Sequence, residues 1–259
     1  MYSIDLKGKR GLVLGVANQR SLAWAIAQAL HGAGAKLAFT YQGERLKDRV
    51  AGLVGGMDPE SPLLECDVTR DEDVGRVCRQ TAQELGKIDY LVHSVAFARK
   101  EDLEGSFLDT SRDGFRTALE VSAYSLVSVT KAVVPFMETE GGSIVTLTYM
   151  ASQRVVPSYN VMGTAKAALE HAVRQLAFEL GPRRIRVNAI SAGPVNTLSA
   201  RGIHGFLDML HKSEEKAPLK RGIEPSEVGQ AALFLLSDMG SGVTGEVLFV
   251  DAGYNIMGT

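Results

Sequence analysis

The chain has 259 residues, of which 45% are hydrophobic and 22% charged, and its formal net charge is −2. This composition indicates a globular protein with a large core, and the near-neutral charge argues against a general attraction to nucleic acid. The two cysteines, Cys66 and Cys78, form neither a CxxC pair nor part of a Cys/His cluster, so we expect no disulfide framework, no metal site and a reducing cytoplasmic environment.

Short apolar runs alternate along the chain with longer segments of helical periodicity. No run reaches the roughly 18 residues of a membrane span, so none is predicted. The runs are rich in Val, Ile and Leu without polar alternation, which predicts strands covered on both faces. In chain order they are Gly11–Val16, Lys36–Tyr41, Leu63–Cys66, Tyr90–Ala96, Ser143–Thr148, Ile185–Ser191 and Val247–Val250.

Helical spacing predicts the segments that separate these strands. The first helix starts at Ser21 and ends near Gly32 or Gly34, and the others are Asp71–Leu85, Phe115–Met137, Pro157–Leu180 and a last helix from Pro225 to about Leu236. Strands that alternate with helices form right-handed βα units. We therefore predict an α/β fold, a Rossmann-type doubly wound parallel sheet of seven strands, in a single domain over residues 1–259.

The loop after the first strand has features of a dinucleotide-binding turn. In such sheets ligands bind beyond the carboxyl ends of the strands. The full G-x-G-x-x-G motif is absent, but Gly15 can form the tight turn and Ser21 can offer an amide and a hydroxyl to a pyrophosphate. An ordinary βα loop explains the same residues.

The ends of the next strands suggest where an adenosine group could bind. Gln42 follows the second strand and can hydrogen-bond a ribose or adenine, and no arginine cluster for a 2′-phosphate is present, which favours NADH over NADPH. Asp67 follows the third strand, where it either meets adenine or caps the helix near Asp71. His93, at the fourth strand, is interpreted as a hydrogen-bonded structural histidine.

A tyrosine and a lysine, Tyr159 and Lys166, lie seven residues apart in a predicted helix. At about 100° per residue this spacing is close to two turns, so the two share a face, roughly 10 Å apart along the axis. The ammonium could lower the pKa of the phenol and hold a sugar hydroxyl. The alternative is an exposed tyrosine with a surface lysine. Tyr149, just after the fifth strand, and Thr197, after a Gly-Pro turn, are predicted at the same edge.

The whole set of motifs resembles the NADH-dependent enoyl-acyl-carrier-protein reductases, which are divergent short-chain dehydrogenases/reductases. The motifs are "GVANQRS", "YQ", "CDV", "HSVAFA", "TLTYMAS", "YNVMGTAK", "VNAISAGPVNTL" and "GEVLFVDAGY", which span nearly the whole chain. Mainstream relatives carry a catalytic Ser and Tyr-x3-Lys, whereas this chain has Tyr-x6-Lys with Gly163 in place of their lysine.

The resemblance implies roles for named residues. It implies pyrophosphate binding by Gly15, Ser21 and Leu22, and adenosine binding by Gln42, Asp67 and Val68. It implies that Lys166 holds the nicotinamide ribose and that Ala98 touches substrate. The residues that it places along the nicotinamide are Val95, Val195, Asn196, Thr197, Leu198 and Ser199.

The resemblance also implies a reaction and its partners. The reaction is reduction of a trans-2-enoyl thioester on acyl carrier protein, in bacterial type II fatty acid synthesis, by hydride from NADH. Tyr159 would stabilise the enolate, and Tyr149 would shape the pocket or assist the donor. The proton for the α-carbon would come from Tyr159 or solvent. A homotetramer, common in the superfamily, is expected.

An amphipathic segment at about 197–217 follows the nicotinamide region. We interpret it as a substrate-binding lid, and the alternative is an ordinary packed surface helix. Two other functions fit these residues less well than the reductase does. A ketoreductase is disfavoured because Tyr-x3-Lys and its preceding Ser are absent, and a dinucleotide-sensing regulator has no need of both Tyr159 and Lys166.

Overall fold

The central feature of the fold is one parallel sheet. The structure is a computed structural model that describes residues 4–137, 140–197 and 205–258. In this part of the chain the strands are β1 (Arg10–Leu14), β2 (Lys36–Tyr41), β3 (Leu63–Glu65), β4 (Tyr90–His93), β5 (Gly142–Thr148), β6 (Ile185–Ala192) and β7 (Val247–Val250). They form a 7-stranded sheet in the order β3-β2-β1-β4-β5-β6-β7, with every pair parallel. The predicted doubly wound Rossmann-type sheet is confirmed.

Helices cover both faces of this sheet. Those in the described ranges are α1 (Leu22–Gly32), α2 (Glu44–Met57), α3 (Asp71–Leu85), α4 (Lys100–Leu103), α5 (Arg112–Leu119), α6 (Ser125–Val133), α7 (Asn160–Leu180), α8 (Phe206–Lys216) and α9 (Pro225–Leu236). Two apolar cores result. One packs α3, α6 and α7 against the sheet, and the other packs α1, α2 and α9 against the opposite face.

The observed elements differ from the predicted ones in several places. Helix α2 was not predicted, and β4 ends at His93 instead of Ala96. Helix α7 begins at Asn160, so Tyr159 is its N-cap and not part of its first turn. The predicted helix from Phe115 to Met137 is a longer unit, in which a π-helical segment, Glu120–Tyr124, joins α5 to α6.

This long unit is the one described helix that could cross a membrane by length and composition alone. It runs over Arg112–Phe136 (25 residues), and its most apolar stretch has a mean hydropathy of 1.2. Half of that stretch is buried inside the protein. Because a buried core helix of this length has the same composition, these two properties do not favour a span over a packed helix.

Candidate functional site

The crevice between β1 and β4 is where the strand order changes direction, which is the usual ligand position in such sheets. Gly15 lies at this point with φ +97°, and a Cβ on it would be 2.0 Å from the carbonyl oxygen of Ser94. Only glycine fits this close approach of the two loops. The predicted tight turn at Gly15 is therefore present, at the edge where a dinucleotide would bind.

Ser21 organises the loop between β1 and α1. Its Oγ accepts hydrogen bonds from the backbone N–H groups of Ala17 and Asn18, each at 3.1 Å, which leaves its own proton to donate. Its amide donates to the carbonyl of Asn18, so the predicted free amide of Ser21 is wrong for this structure. Leu22 is the first residue of α1, where backbone N–H groups lack partners within the helix.

The predicted adenosine-binding residues follow β2 and β3 as expected. Gln42 is exposed directly after β2. The Asp67 carboxylate accepts from the Thr69 amide at 3.0 Å and the Thr69 hydroxyl at 2.8 Å, and the N-cap of α3 is Arg70, with no side-chain cap bond. The alternative that Asp67 caps α3 is therefore wrong. Val68, next to it, is buried.

His93 is a structural residue, as interpreted from the sequence. Its Nδ1 lies 3.0 Å from Thr146 Oγ1, its Nε2 lies 2.9 Å from Ser125 Oγ, and burial lowers its pKa to about 3, with the charge of Lys166 adding to the effect. The π-helical segment orients this region, because its Ser122 Oγ accepts from the amide of Phe97 and donates to its carbonyl.

Tyr149 and Tyr159 meet at the carboxyl end of β5. Their ring centroids lie 5.0 Å apart at an interplanar angle of 58°. Lys166, which is buried, extends to the same strand end, where its Nζ donates to the carbonyl of Leu147 at 2.7 Å. All three residues thus lie at one strand end, and the alternative of a surface lysine is excluded.

The electrostatics of this cluster differ from the prediction. Burial raises the pKa of Tyr159, whereas the sequence argument expected the ammonium to lower it, and this prediction is wrong. The phenol therefore carries its proton at neutral pH and can act as a hydrogen-bond donor. Burial lowers the pKa of Lys166 to about 8, opposed by the charge of Glu170, and burial also raises the pKa of Tyr149.

The backbone on both sides of Tyr159 is unusual. Ser158 has φ 62° and Asn160 has φ 35°, values that non-glycine residues rarely adopt and that concentrate at functional sites. The Asn160 side-chain amide donates to the carbonyls of Leu103 at 3.0 Å and Gly105 at 3.3 Å. These bonds hold the start of α7 in the conformation that presents Tyr159 to the site.

Gly163 allows α7 to lie close to the turn that carries Tyr149. A Cβ at this position would be 2.9 Å from the carbonyl oxygen of Ala151. A larger side chain at residue 163 would push the helix away from this turn. In this structure, residue 163 therefore cannot carry a lysine without such a displacement.

On the predicted substrate side of the site, Ala98 and most of the segment 197–217 lie within the described residues. Ala98 and Tyr159 pack against the same apolar cluster. Met209, on α8, receives a weak hydrogen bond from the Tyr149 hydroxyl, with Oη 3.6 Å from its sulfur. The predicted segment at 197–217 thus contains a helix that covers Tyr149, while Leu198 and Ser199 lie outside the described residues.

Two of the predicted nicotinamide residues, Val195 and Asn196, border a cleft. Val95 and Val195 are half-buried against the two cores. Val195 and Asn196 line a cleft of about 940 Å³, which extends from Arg20 to the first turn of α9, and the Thr197 amide donates to the Val195 carbonyl at 2.7 Å. A cleft of this size is suited to a small-molecule ligand.

A buried acid, Glu170, and the two hydroxyl residues that bond to it, Thr148 and Ser152, were not predicted from the sequence. Glu170 is buried, and its carboxylate accepts hydrogen bonds from Thr148 Oγ1 at 2.8 Å and Ser152 Oγ at 2.5 Å. The available signal was its position, four residues after Lys166, which places it on the same face of α7.

Comparison with known proteins agrees with this geometry. A family model described as "Enoyl-(Acyl carrier protein) reductase" matches residues 15–255. The NADH enoyl-acyl-carrier-protein reductase FabI of Bacillus cereus is 53% identical over 98% of this chain and 99% of its own length. An enzyme of Staphylococcus aureus named as the NADPH enzyme is 48% identical over 97% of this chain and 98% of its own length.

A solved structure is similar throughout. The crystal structure of the Bacillus cereus enoyl-acyl carrier protein reductase, with NADP+ and indole naphthyridinone, superimposes with a TM-score of 0.96 at 52% identity, and the match covers 98% of this chain and 100% of the other. With the sheet, the Gly15 turn and the Tyr149–Tyr159–Lys166 cluster in place, the chain belongs to the enoyl-acyl-carrier-protein reductase family.

Proposed function

We propose that the protein reduces trans-2-enoyl thioesters on acyl carrier protein, with NADH as the hydride donor, in bacterial type II fatty acid synthesis. The observation that carries this proposal is the convergence of a protonated Tyr159 and a buried Lys166 at the sheet edge beside the Gly15 turn. The family membership and the FabI relatives support the same reaction.

The residues present fit a nicotinamide dinucleotide. Lys166 uses one of its three N–H donors on the Leu147 carbonyl, so two remain for ribose hydroxyls. Gly15, Ser21 and Leu22 would hold the pyrophosphate, and Gln42, Asp67 and Val68 the adenosine. The residues proposed along the nicotinamide are Val95, Val195, Asn196, Thr197, Leu198 and Ser199.

When bound, the nicotinamide supplies the hydride that reduces the β-carbon of the substrate. As the double bond opens, negative charge develops on the thioester oxygen, and Tyr159 donates a hydrogen bond to that oxygen. Its raised pKa keeps the phenol protonated for this role. Tyr149, whose ring lies tilted against that of Tyr159, shapes the pocket or assists this donor. A proton then reaches the α-carbon from Tyr159 or from solvent.

The surroundings of the site support further proposals about partners. Helix α8, which covers Tyr149 through Met209, acts as part of a lid over the acyl chain, and Ala98 contacts the substrate. Exposed apolar side chains on the long helix and α7, among them Phe115, Tyr124 and Phe178, support a homotetramer because such patches mark protein contacts. The protein works in the cytoplasm, where acyl carrier protein and NADH meet.

NADH is proposed over NADPH on the residues that follow β2. Gln42 is neutral and offers no positive charge to a 2′-phosphate on the ribose. The NADPH enzyme of Staphylococcus aureus is a relative, so both cofactors belong in the assay.

The test is the oxidation of NADH with crotonyl thioester, followed by absorbance and repeated with NADPH. Tyr159→Phe should lower kcat about 100-fold without weakening NADH binding, because it removes one donor to the developing charge. Lys166→Ala should weaken NADH binding about tenfold. Lys36→Ala, at an exposed lysine at the amino end of β2, is the control and should leave both quantities unchanged. Turnover of a β-ketoacyl thioester without enoyl reduction would overturn the proposal.

A further inference from the structure

Glu170 is a buried acid next to the site whose role the proposed chemistry leaves open. It is 3% exposed, and Lys166, one turn earlier on α7, is 5% exposed. A buried charge is costly unless it is paired or hydrogen-bonded. Its position therefore calls for a function that a neutral side chain would not supply.

The contacts of Glu170 converge on the residues that flank Tyr149. Thr148, the residue before Tyr149, donates from Oγ1 at 2.8 Å, and Ser152, three residues after it, donates from Oγ at 2.5 Å. Gln153 Nε2 lies at 3.5 Å from the other carboxylate oxygen. Together with the bond from Lys166 to Leu147, two successive turns of α7 hold the chain on both sides of Tyr149.

The charge of Glu170 also acts on Lys166. Burial lowers the pKa of Lys166 to about 8, and Glu170 raises it. The other titratable groups around the pair are neutral: His93 of β4 by its lowered pKa, and Tyr149 and Tyr159 by their raised ones. Asp251, after β7, acts on Tyr149. Among the described groups that act on Lys166, Glu170 is thus the one that favours its charged form.

We propose that Glu170 is a positioning residue for the reduction, which fixes the turn that carries Tyr149 and keeps Lys166 charged for the cofactor ribose. The inference rests on the proposed roles of Tyr149 and Lys166. It separates into a geometric part, carried by the bonds to Thr148 and Ser152, and an electrostatic part, carried by the negative charge.

Two variants separate these parts. Glu170→Gln retains an oxygen that can accept from both hydroxyls but removes the charge. The double variant Thr148→Val/Ser152→Ala removes both hydroxyl donors but keeps the charge. Glu179→Gln, an exposed acid on the same helix that bonds Gln175, is the matched control. Thermal unfolding of each protein verifies that it is folded.

The measurements are NADH affinity, by fluorescence between pH 6.5 and 9, and kcat with crotonyl thioester. NADH affinity should fall at alkaline pH as Lys166 loses its proton, and we call this fall the alkaline limb. In Glu170→Gln the limb should lie about one pH unit lower than in the wild type. NADH affinity should then drop about fivefold at pH 8 and stay nearly unchanged at pH 6.5. The double variant should keep the wild-type limb and lose kcat about five- to tenfold, because Tyr149 is no longer held.

If NADH affinity depends on pH in Glu170→Gln as it does in the wild type, the electrostatic part is overturned. If the double variant keeps the wild-type kcat, the geometric part is overturned. If one variant does not fold, the other still tests its own part. NADH binding is measured without thioester. A Glu170-dependent limb in a protein that does not reduce the thioester would therefore refute the proposed function and leave the electrostatic part of the inference standing.

Discussion

Replacing Gly163 by alanine tests whether the close approach of α7 to the Tyr149 turn matters for stability. The new Cβ would be 2.9 Å from the Ala151 carbonyl oxygen, so helix and turn must separate by several tenths of an ångström to restore ordinary contact. Overpacking of this kind costs about 1–3 kcal/mol. Alanine is also a better helix former than glycine by about 1 kcal/mol, which opposes the cost.

Gly52 provides the matched control, since it lies in the exposed part of α2 and a Cβ there has no atom within 4 Å. Gly52→Ala should therefore raise the free energy of unfolding by about 1 kcal/mol. The gain in helix propensity cancels between the two variants. Their difference should be the steric cost alone, about 1–3 kcal/mol.

The assay is urea or thermal unfolding of both variants at equal protein concentration, together with kcat for the thioester. We expect Gly163→Ala to melt several degrees below Gly52→Ala and to lose kcat, because the Tyr149 turn moves. If the two variants are equally stable and equally active, the contact between residue 163 and Ala151 has no energetic importance and the reasoning is refuted.

Two further predictions concern the same helix. Lys166 has a pKa of about 8 in the folded protein against an ordinary 10.5. Between these two pH values the unfolded chain binds more protons than the folded protein. The free energy of unfolding should therefore rise with pH over this range, by up to about 3 kcal/mol. Unfolding of the cofactor-free protein at several pH values measures this, and an equally steep rise in Lys166→Met would contradict it. Asn160→Ala and Asn160→Gly both lose the hydrogen bonds to Leu103 and Gly105, but only alanine resists a φ of 35°. Asn160→Ala should therefore be less stable than Asn160→Gly by about 1 kcal/mol and have a lower kcat. Equal melting temperatures for the two would contradict that argument.

The sheet could be predicted because its strands are buried on both faces and appear as continuous apolar runs. Helix α2 could not be predicted in the same way. It contains three glycines, and only Val50 and Val54 are buried along it, so its apolar periodicity is weak. The start of α7 was misplaced because Pro157 is typical of a first helical turn, whereas Ser158 and Asn160 instead adopt positive φ.

At the candidate site, residue types and spacing predicted which side chains converge but not their electrostatics. The pKa of Tyr159 is raised and not lowered, because burial of the phenol is the dominant effect and Lys166 directs its ammonium to the Leu147 carbonyl. Glu170 was missed for a similar reason. A glutamate in a helix is usually exposed, and its burial depends on packing against Thr148 and Ser152, which are distant in sequence.

The π-helical segment Glu120–Tyr124 fixes the number of residues that this part of the chain must contain. It lets Ser122 bind Phe97 while Ser125 reaches His93. Deletion of one residue within the segment would restore regular helical winding and change the angle between the Ser122 and Ser125 side chains around the helix axis. One of the two serines would then face the wrong neighbour. This stretch should therefore accept many substitutions over time but no insertions or deletions, a restriction on gaps that no individual side chain reveals.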